Sequence, residues 1–364
     1  TVLVTGAGGS IGSELCRQIV KLKPKKLLIL ELNEFALYEI YNELSSYNKK
    51  IKIISLLVNA QDQTKLETIF ETFKVETVYH AAAYKHVPLV EENICEGVKN
   101  NVFSTLAIAK ASISKKISNL VLISSDKAVR PTNIMGASKR LSELCMQGIH
   151  KSLQNTKTNF SIVRFGNVLD SSGSVIPRFR EQIKRGGPIT LTHREITRYF
   201  MTITEAAQLV IQGGALGKGS EVFVLDMGQS IKIKDLIDKM IKLSGFSIKT
   251  KENPTGDIEI KIIGLRPGEK LYEELLVGDN PQKTIHSKIL KTNDPYIQFD
   301  KLDKDIENLR LLLEKNNAKE VKVFLEQIIN SYHSNSEIVD HIFKEENTHV
   351  KNKKNQINLK KKYN

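Results

Sequence analysis

The sequence predicts an α/β protein: a doubly wound parallel sheet followed by a smaller mixed α/β portion. Three observations carry this. Through residues 1–165 short apolar runs alternate with longer amphipathic ones, the pattern of repeated βαβ units. The first apolar run opens directly into a turn with glycines at 6, 9 and 12. From about residue 166 the rhythm loosens into glycine-rich turns and short strands.

In chain order, the strand candidates are Val2–Val4, Leu27–Leu30, Ile51–Leu57, Thr77–Tyr79, Leu120–Ile123 and Ser161–Val163. A helix opens at about Ser10, straight after the glycine turn. Beyond 166 come Gly186–Gly187–Pro188, the glycines of 213–219, and short strands at Glu221–Leu225 and Glu259–Ile263. Two helical segments, 301–315 and 318–333, close the fold. Residues 335–364 turn polar and Lys/Asn-rich, so they read as a largely disordered tail. The expected division is therefore 1–165, 166–334 and the tail.

Composition narrows the function. The chain has 364 residues, 40% hydrophobic and 26% charged, ordinary for a globular protein. Its formal charge of +13 is spread widely, with no basic stripe interleaved with aromatics, so nucleic acid is not an expected partner. No apolar run reaches membrane-spanning length. Cys16, Cys95 and Cys145 are too few and too scattered for a disulfide framework or a zinc site, which points to a reducing compartment and no metal.

The glycine turn carries the first functional signal. Strand, glycine-spaced turn and helix start let backbone N–H groups and a helix N-terminus approach a pyrophosphate. Gly6, Gly9, Ser10, Ile11 and Gly12 form that cradle. Glu31 ends the second strand, where an acidic residue bonds an adenosine ribose and favours NAD over NADP. Its bland alternative is a helix-capping glutamate, with Asn33 and Glu34 able to take either role. Asn59 and Ala60 follow the third strand, where adenine would lie, and Ala81, Ala82 and Ala83 are small enough for close approach to the cofactor.

The second signal is Ser124–Lys139, SSDKAVRPTNIMGASK. Ser125, Asp126 and Lys127 emerge at the C-terminal end of the fifth strand, the edge where open sheets bind ligands. Neighbours on a regular strand face opposite ways, so Asp126 and Lys127 must sit just past it in loop geometry to act together. Met135 and Lys139, four apart, stack on one helical face.

With these features the chain resembles an extended short-chain dehydrogenase/reductase. HAAAYKHVPLVE at 80–91, SSDKAVRPTNIMGASK at 124–139, VRFGNVLDSSGSVIPRF at 163–179 and LRPGEKLYEEL at 265–275 resemble the polysaccharide-biosynthesis dehydratases that act on UDP-N-acetylglucosamine. The resemblance covers residues 1 to about 276. It implies an internal redox cycle: hydride passes from sugar C4 to NAD, the C5 proton is removed, water leaves from C6, and hydride returns to C6. Asp126 is then the acid for the C6 hydroxyl and Lys127 the base for C5, which requires a lowered pKa at Lys127. Lys139 matches the lysine that bonds the nicotinamide ribose. Four residues earlier most of the superfamily has a tyrosine, and here Met135, a thioether, cannot transfer a proton. Ser125, Asp126 or Lys127 would take over.

The methionine matches a branch whose catalytic domain follows a membrane-anchored N-terminal region and whose members retain the C5 configuration. The start at Thr1 fits a fragment of such a protein, a cytoplasmic domain of an inner-membrane-anchored chain. At the nucleotide end the resemblance assigns Asn167 to the diphosphate–sugar junction, Arg198 and Arg266 to phosphate, Glu269 to the uridine ribose and Val175–Arg178 to uracil. Lys85 and Asn101 fall near the nicotinamide and sugar. A homodimer through the helical segment 92–115 is also implied. The competing readings are a UDP-sugar 4-epimerase, which would not need Asp126–Lys127, and a catalytically silent NAD-binding regulator, for which Met135 is the only support.

Overall fold

The computed structural model describes residues 1–47, 50–153, 156–276, 281–334 and 336–349. It begins with β1 (Val2–Thr5), α1 (Ser10–Lys21), β2 (Lys26–Glu31), α2 (Glu34–Tyr47), β3 (Lys52–Leu57), α3 (Gln63–Phe73) and β4 (Thr77–His80). There follow α4 (Val87–Glu92), α5 (Ile94–Val98), a π-helical turn Lys99–Phe103, α6 (Ser104–Ser114) and β5 (Asn119–Ile123). A 3-10 turn Asp126–Ala128, α7 (Ile134–Ser152) and β6 (Asn159–Arg164) complete the series. All six expected strands are present. Their ends move by a residue or two because flanking polar residues such as Lys26, Asn119 and Asn159 still extend the backbone ladder.

The strands are parallel and ordered β3-β2-β1-β4-β5-β6, so the winding reverses between β1 and β4. Connections there leave in opposite directions and open a crevice at the carboxyl edge. Alternate strand residues feed opposite faces. Leu3 and Leu28 join a core with α3, α6 and α7, while Val4 and Leu27 join one with α1 and α2.

The division at 165 cuts through the sheet. Strand Ser220–Leu225 pairs in parallel with β6, and Ile289–Thr292 adds antiparallel beyond it. Helix Ile203–Leu216 also packs on the sheet, through Ala206, Ala207, Leu209 and Val210, while another part of 166–276 keeps a small core of its own. Phe179, Ile183, Ile189, Ile237 and Ile258 join helices Val175–Lys184 and Ile233–Leu243 to strands Ile189–Leu191 and Ile258–Ile262.

Segment 92–115 is not one helix. It breaks at Asn93 and again at the π-helical turn, and helix Phe299–Glu314 reaches it at Phe103 and Lys110. Arg310 stacks on Phe103 at 4.5 Å and Lys110 lies over Phe299. That helix and Ala318–Ile328 bury Leu302, Ile306, Leu309, Val321 and Leu325 in the α6–α7 core.

The expected disordered tail needs correction over 336–349. Asp340 is 6% exposed; its carboxylate accepts from the Ile94 N–H at 2.9 Å and caps a helix over 341–349. Ile338 and Phe343 pack against the main core. Composition averaged over 335–364 is dominated by lysines and asparagines and passes over such apolar residues. Residues 335 and 350–364 lie outside the described residues.

Candidate active site

The glycine turn sits at the switch point. Gly6 has φ +63°, and a Cβ there would lie 2.6 Å from the Ala82 nitrogen. Only glycine lets β1 and the end of β4 close so tightly. Gly9 N–H bonds Gly6 O at 3.0 Å and α1 starts at Ser10. Gly6, Gly9, Ser10, Ile11, Gly12, Ala81 and Ala83 line one side of a cavity of about 780 Å³. Of the expected cofactor residues, Glu31, Asn59, Ala60 and Ala82 do not line it. The Glu31 carboxylate accepts from Gly8, Leu32 and Asn33 N–H at 3.1, 2.8 and 3.1 Å. It ties the glycine turn to the end of β2, and the α2 cap falls to Asn33, which accepts from Ala36 at 2.9 Å. Asn59 accepts from Gln61 N–H, and Ala60 packs in the core.

Lys85, Ser124, Lys127, Met135, Lys139, Asn167 and Val175 line the rest of the cavity. The 3-10 turn places Lys127 there. Gly136 allows α7 to press on that turn, because a Cβ at 136 would sit 2.2 Å from Lys127 O. Lys127 Nζ lies 3.0 Å from Asp126 Oδ1, 3.3 Å from Asn167 Oδ1 and 3.6 Å from Glu273 Oε1.

Asp126 and Ser125 stand behind this wall. Asp126 is 0% exposed. Ser125 caps the turn, donating to Asp126 Oδ1 at 2.9 Å and accepting from Lys127 N–H. Lys127 also departs from expectation in its charge. Burial pulls its amine down, but the Asp126 and Glu273 carboxylates more than offset this and hold it above the ordinary lysine value. The lysine with a depressed pKa is Lys139. Burial draws it to about 8, with Glu143 opposing. Lys139 makes no hydrogen bond or ion pair among the described residues and faces the cavity.

Two features escaped the sequence. Glu273 is one; it sits in an unremarkable LYEEL context. The other is a buried ion network. Glu143 accepts from Ser124 Oγ at 2.6 Å and from Arg164 Nε at 2.7 Å, and Arg140 and Asp294 join it. Burial pushes Glu143 up, yet Arg164 and Arg140 bring it down to about 2. Charges within the apolar runs of β6 and α7 were the available signal. Asn101, in the π-helical turn, is 1% exposed and braces the wall. Its amide bonds Tyr84 N–H and C=O and Ser138 Oγ at 2.7, 3.0 and 2.9 Å.

A second cavity of about 160 Å³ adjoins the first, sharing Asn167, Gly173, Ser174 and Val175. Arg178, Arg198, Arg266 and Glu269 line it. Arg198 is largely committed to backbone, donating to Thr197 O at 2.7 Å and Lys270 O at 2.9 Å. Burial, then the nearby Arg266 charge, lower Arg178. Two converging guanidinium groups suit an anion.

Fold and site together define a Rossmann-type α/β protein with a ligand cavity at the switch point and a cationic annex. The chain belongs to the polysaccharide biosynthesis protein family, whose model matches residues 2–294. It is 49% identical to the capsular polysaccharide biosynthesis protein CapD of Staphylococcus aureus, over 85% of this chain and 50% of that one. The chain thus spans about half of that relative's length. It is 28% identical to a UDP-N-acetylglucosamine 4,6-dehydratase (inverting) of Campylobacter jejuni, over 84% of this chain and 85% of that one. Among solved structures it resembles Pen from Bacillus thuringiensis, with TM-score 0.68 and 35% identity over 76% of this chain and 83% of that one. DesIV of Streptomyces venezuelae, a dTDP-glucose 4,6-dehydratase solved with NAD, shares the fold at TM-score 0.64 and 18% identity, over 78% and 93% of the two chains. Among the described residues, no helix is long and apolar enough to cross a membrane.

Proposed function

We propose that this protein carries out NAD-dependent 4,6-dehydration of UDP-N-acetylglucosamine to the UDP-4-keto-6-deoxy sugar, with C5 retained. It would supply surface-glycan or protein-glycosylation sugars, as the cytoplasmic part of a membrane-anchored protein. The observation that carries this is the composition of one wall. Lys127, Met135, Lys139 and Asn167 face the same cavity as the glycine turn, and that cavity continues into the Arg178–Arg266 annex. The names of the relatives support a nucleotide-sugar reaction of this kind.

The residues present fit NAD. The α1 N-terminus and glycine turn suit its pyrophosphate, and the unpartnered Lys139 amine suits its ribose. Bound there, it supplies the acceptor and then the donor of hydride. The chain's own residues handle protons. Moving one proton across the 3.0 Å between Lys127 and Asp126 converts an ion pair into a neutral amine and a carboxylic acid, the pair an elimination needs. Lys127 faces the sugar, takes the C5 proton and returns a proton to the same face of C5 when hydride comes back to C6. Asp126 is enclosed, so its proton reaches the departing C6 hydroxyl through Lys127. With Met135 unable to accept the C4 hydroxyl proton, that task falls to Lys139, whose amine burial draws down to about 8.

The test is incubation with UDP-N-acetylglucosamine, followed by mass spectrometry and NMR. Loss of one water without net NAD reduction is expected, and deuterium from solvent reports C5. An unchanged mass with inversion at C4 would replace this function with 4-epimerisation. An L-configured product would remove the retention claim.

A further inference from the structure

Lys127 is flanked by two carboxylates. Asp126 is its neighbour in sequence, whereas Glu273 arrives from the far segment 266–273. The Glu273 side chain is 3% exposed, and its Oε2 has no hydrogen-bond partner among the described residues. A buried carboxylate oxygen left without a donor is costly and calls for a reason. The segment that carries it is docked firmly on the reaction side. Gly268 O accepts from Thr132 Oγ1 and Asn133 Nδ2, both at 3.0 Å, and Lys270 Nζ donates to Val129 O at 2.9 Å. From the other side Arg198 holds Lys270 O and Leu271 O, with its Nε 3.8 Å from Glu273. The same short segment therefore presents Arg266 and Glu269 to the cationic annex and Glu273 to Lys127.

Resting on the dehydratase reading above, we propose that Glu273 is a positioning residue for Lys127, fixing its amine at the cavity wall and strengthening it as the base that removes the C5 proton. The charged groups facing Lys127 are Asp126 and Glu273 on one side and Arg198 and Lys270 on the other. Asn167 Oδ1 completes its surroundings. A carboxylate next to an amine favours the ammonium form and so makes the amine more basic. Asp126 cannot supply this effect during the elimination, because it is neutral once it holds the proton it is to donate. Glu273 takes no part in that transfer, and its carboxylate lies close enough to stabilise the ammonium that Lys127 becomes.

The test compares the NAD-loaded wild type, Glu273→Gln and Glu273→Asp. Competitive acylation of Lys127 across pH, read by peptide mass spectrometry, gives its titration directly. Turnover of UDP-N-acetylglucosamine gives kcat against pH. In Glu273→Gln the labelling midpoint and the alkaline limb of kcat, where Lys127 gives up the one proton it shares with Asp126, are both expected to move to lower pH. In Glu273→Asp, which keeps the charge on a shorter arm, both should lie between the other two, and this variant carries the test if Glu273→Gln does not fold. A labelling midpoint that stays in place overturns the inference, as does a uniform loss of kcat with an unmoved limb. Failure of the dehydratase reading looks different: no water is lost from the substrate, or Lys127→Ala keeps its turnover. The labelling midpoint then still decides whether Glu273 tunes Lys127.

Discussion

Replacing Lys139 by methionine is expected to stabilise the ligand-free protein while removing a group used at the site. Lys139 is 5% exposed, and burial draws its amine from 10.5 to about 8. The unfolded chain keeps the higher value. Between about 8 and 10.5 the unfolded state therefore holds a proton that the folded state has released, and stability rises with pH through that window. Below it, the folded protein bears the whole cost of an enclosed ammonium. At about 1.36 kcal/mol per pH unit the gap amounts to about 3 kcal/mol. Methionine fills similar space without charge. For a chain this long, roughly 2 °C per kcal/mol gives a rise in Tm of about 6 °C. Calorimetry of both proteins at pH 7 and pH 10 provides the check. The variant should melt higher at pH 7, and the difference should shrink at pH 10. A variant that melts lower at pH 7, or a difference indifferent to pH, would refute the assignment of Lys139 as a strained, cavity-facing amine.

Three further outcomes follow from the site. His80 is 1% exposed between Thr5 Oγ1 and Thr105 Oγ1, and burial, then the Lys139 charge, push it to about 3. The unfolded state alone binds a proton between that value and about 6.5, so stability should fall as pH drops through this window. Thermal melts of His80→Asn should show a weaker decline from pH 7 to pH 4.5. Gly136→Ala places a Cβ 2.2 Å from Lys127 O; displacing the 3-10 turn should cost about 1–3 kcal/mol in urea titrations and lower turnover sharply. Glu143→Gln leaves Arg164, 0% exposed, short of a counter-charge. A loss of about 3–5 kcal/mol is expected in the same titrations, and a loss under 1 kcal/mol would show that the network is dispensable.

The strands and the glycine turn were legible because their information is local. A short apolar run pairs with another whichever helix crosses between them, and Gly6 announces its turn by its spacing. The position of Lys127 just past β5 could likewise be reasoned from strand geometry. What surrounds Lys127 could not. Its charge state depends on Glu273, which sits in a loop held to the 129–133 stretch where Gly268 O accepts from Asn133 Nδ2 and Lys270 Nζ donates to Val129 O. No periodicity in LYEEL reveals such contacts. Asp126 was expected at the ligand-binding edge because it follows a strand, yet β6 runs alongside and Phe165 O accepts its N–H at 3.1 Å, drawing it under the wall. Arg198 in turn looked like a free fork, because the carbonyls that occupy it belong to residues 197, 270 and 271.

The closing helices bear on how this protein can be divided. The family match ends at residue 294, which suggests a transferable module. Yet Asp294 is itself a partner of Arg164, and Leu302, Ile306, Leu309 and Leu325 belong to the same core as Leu3 and Leu28. A chain cut after 294 would take Arg310 off Phe103 and remove Leu302, Ile306, Leu309 and Leu325 from the core, exposing apolar surface of the kind that drives aggregation. Any chimera or shortened variant should therefore carry its own 299–328 helices, together with Asp340, which caps the helix on whose flank Glu96 and Gly97 meet the cavity. The unit that the family model spans is smaller than the core these helices complete.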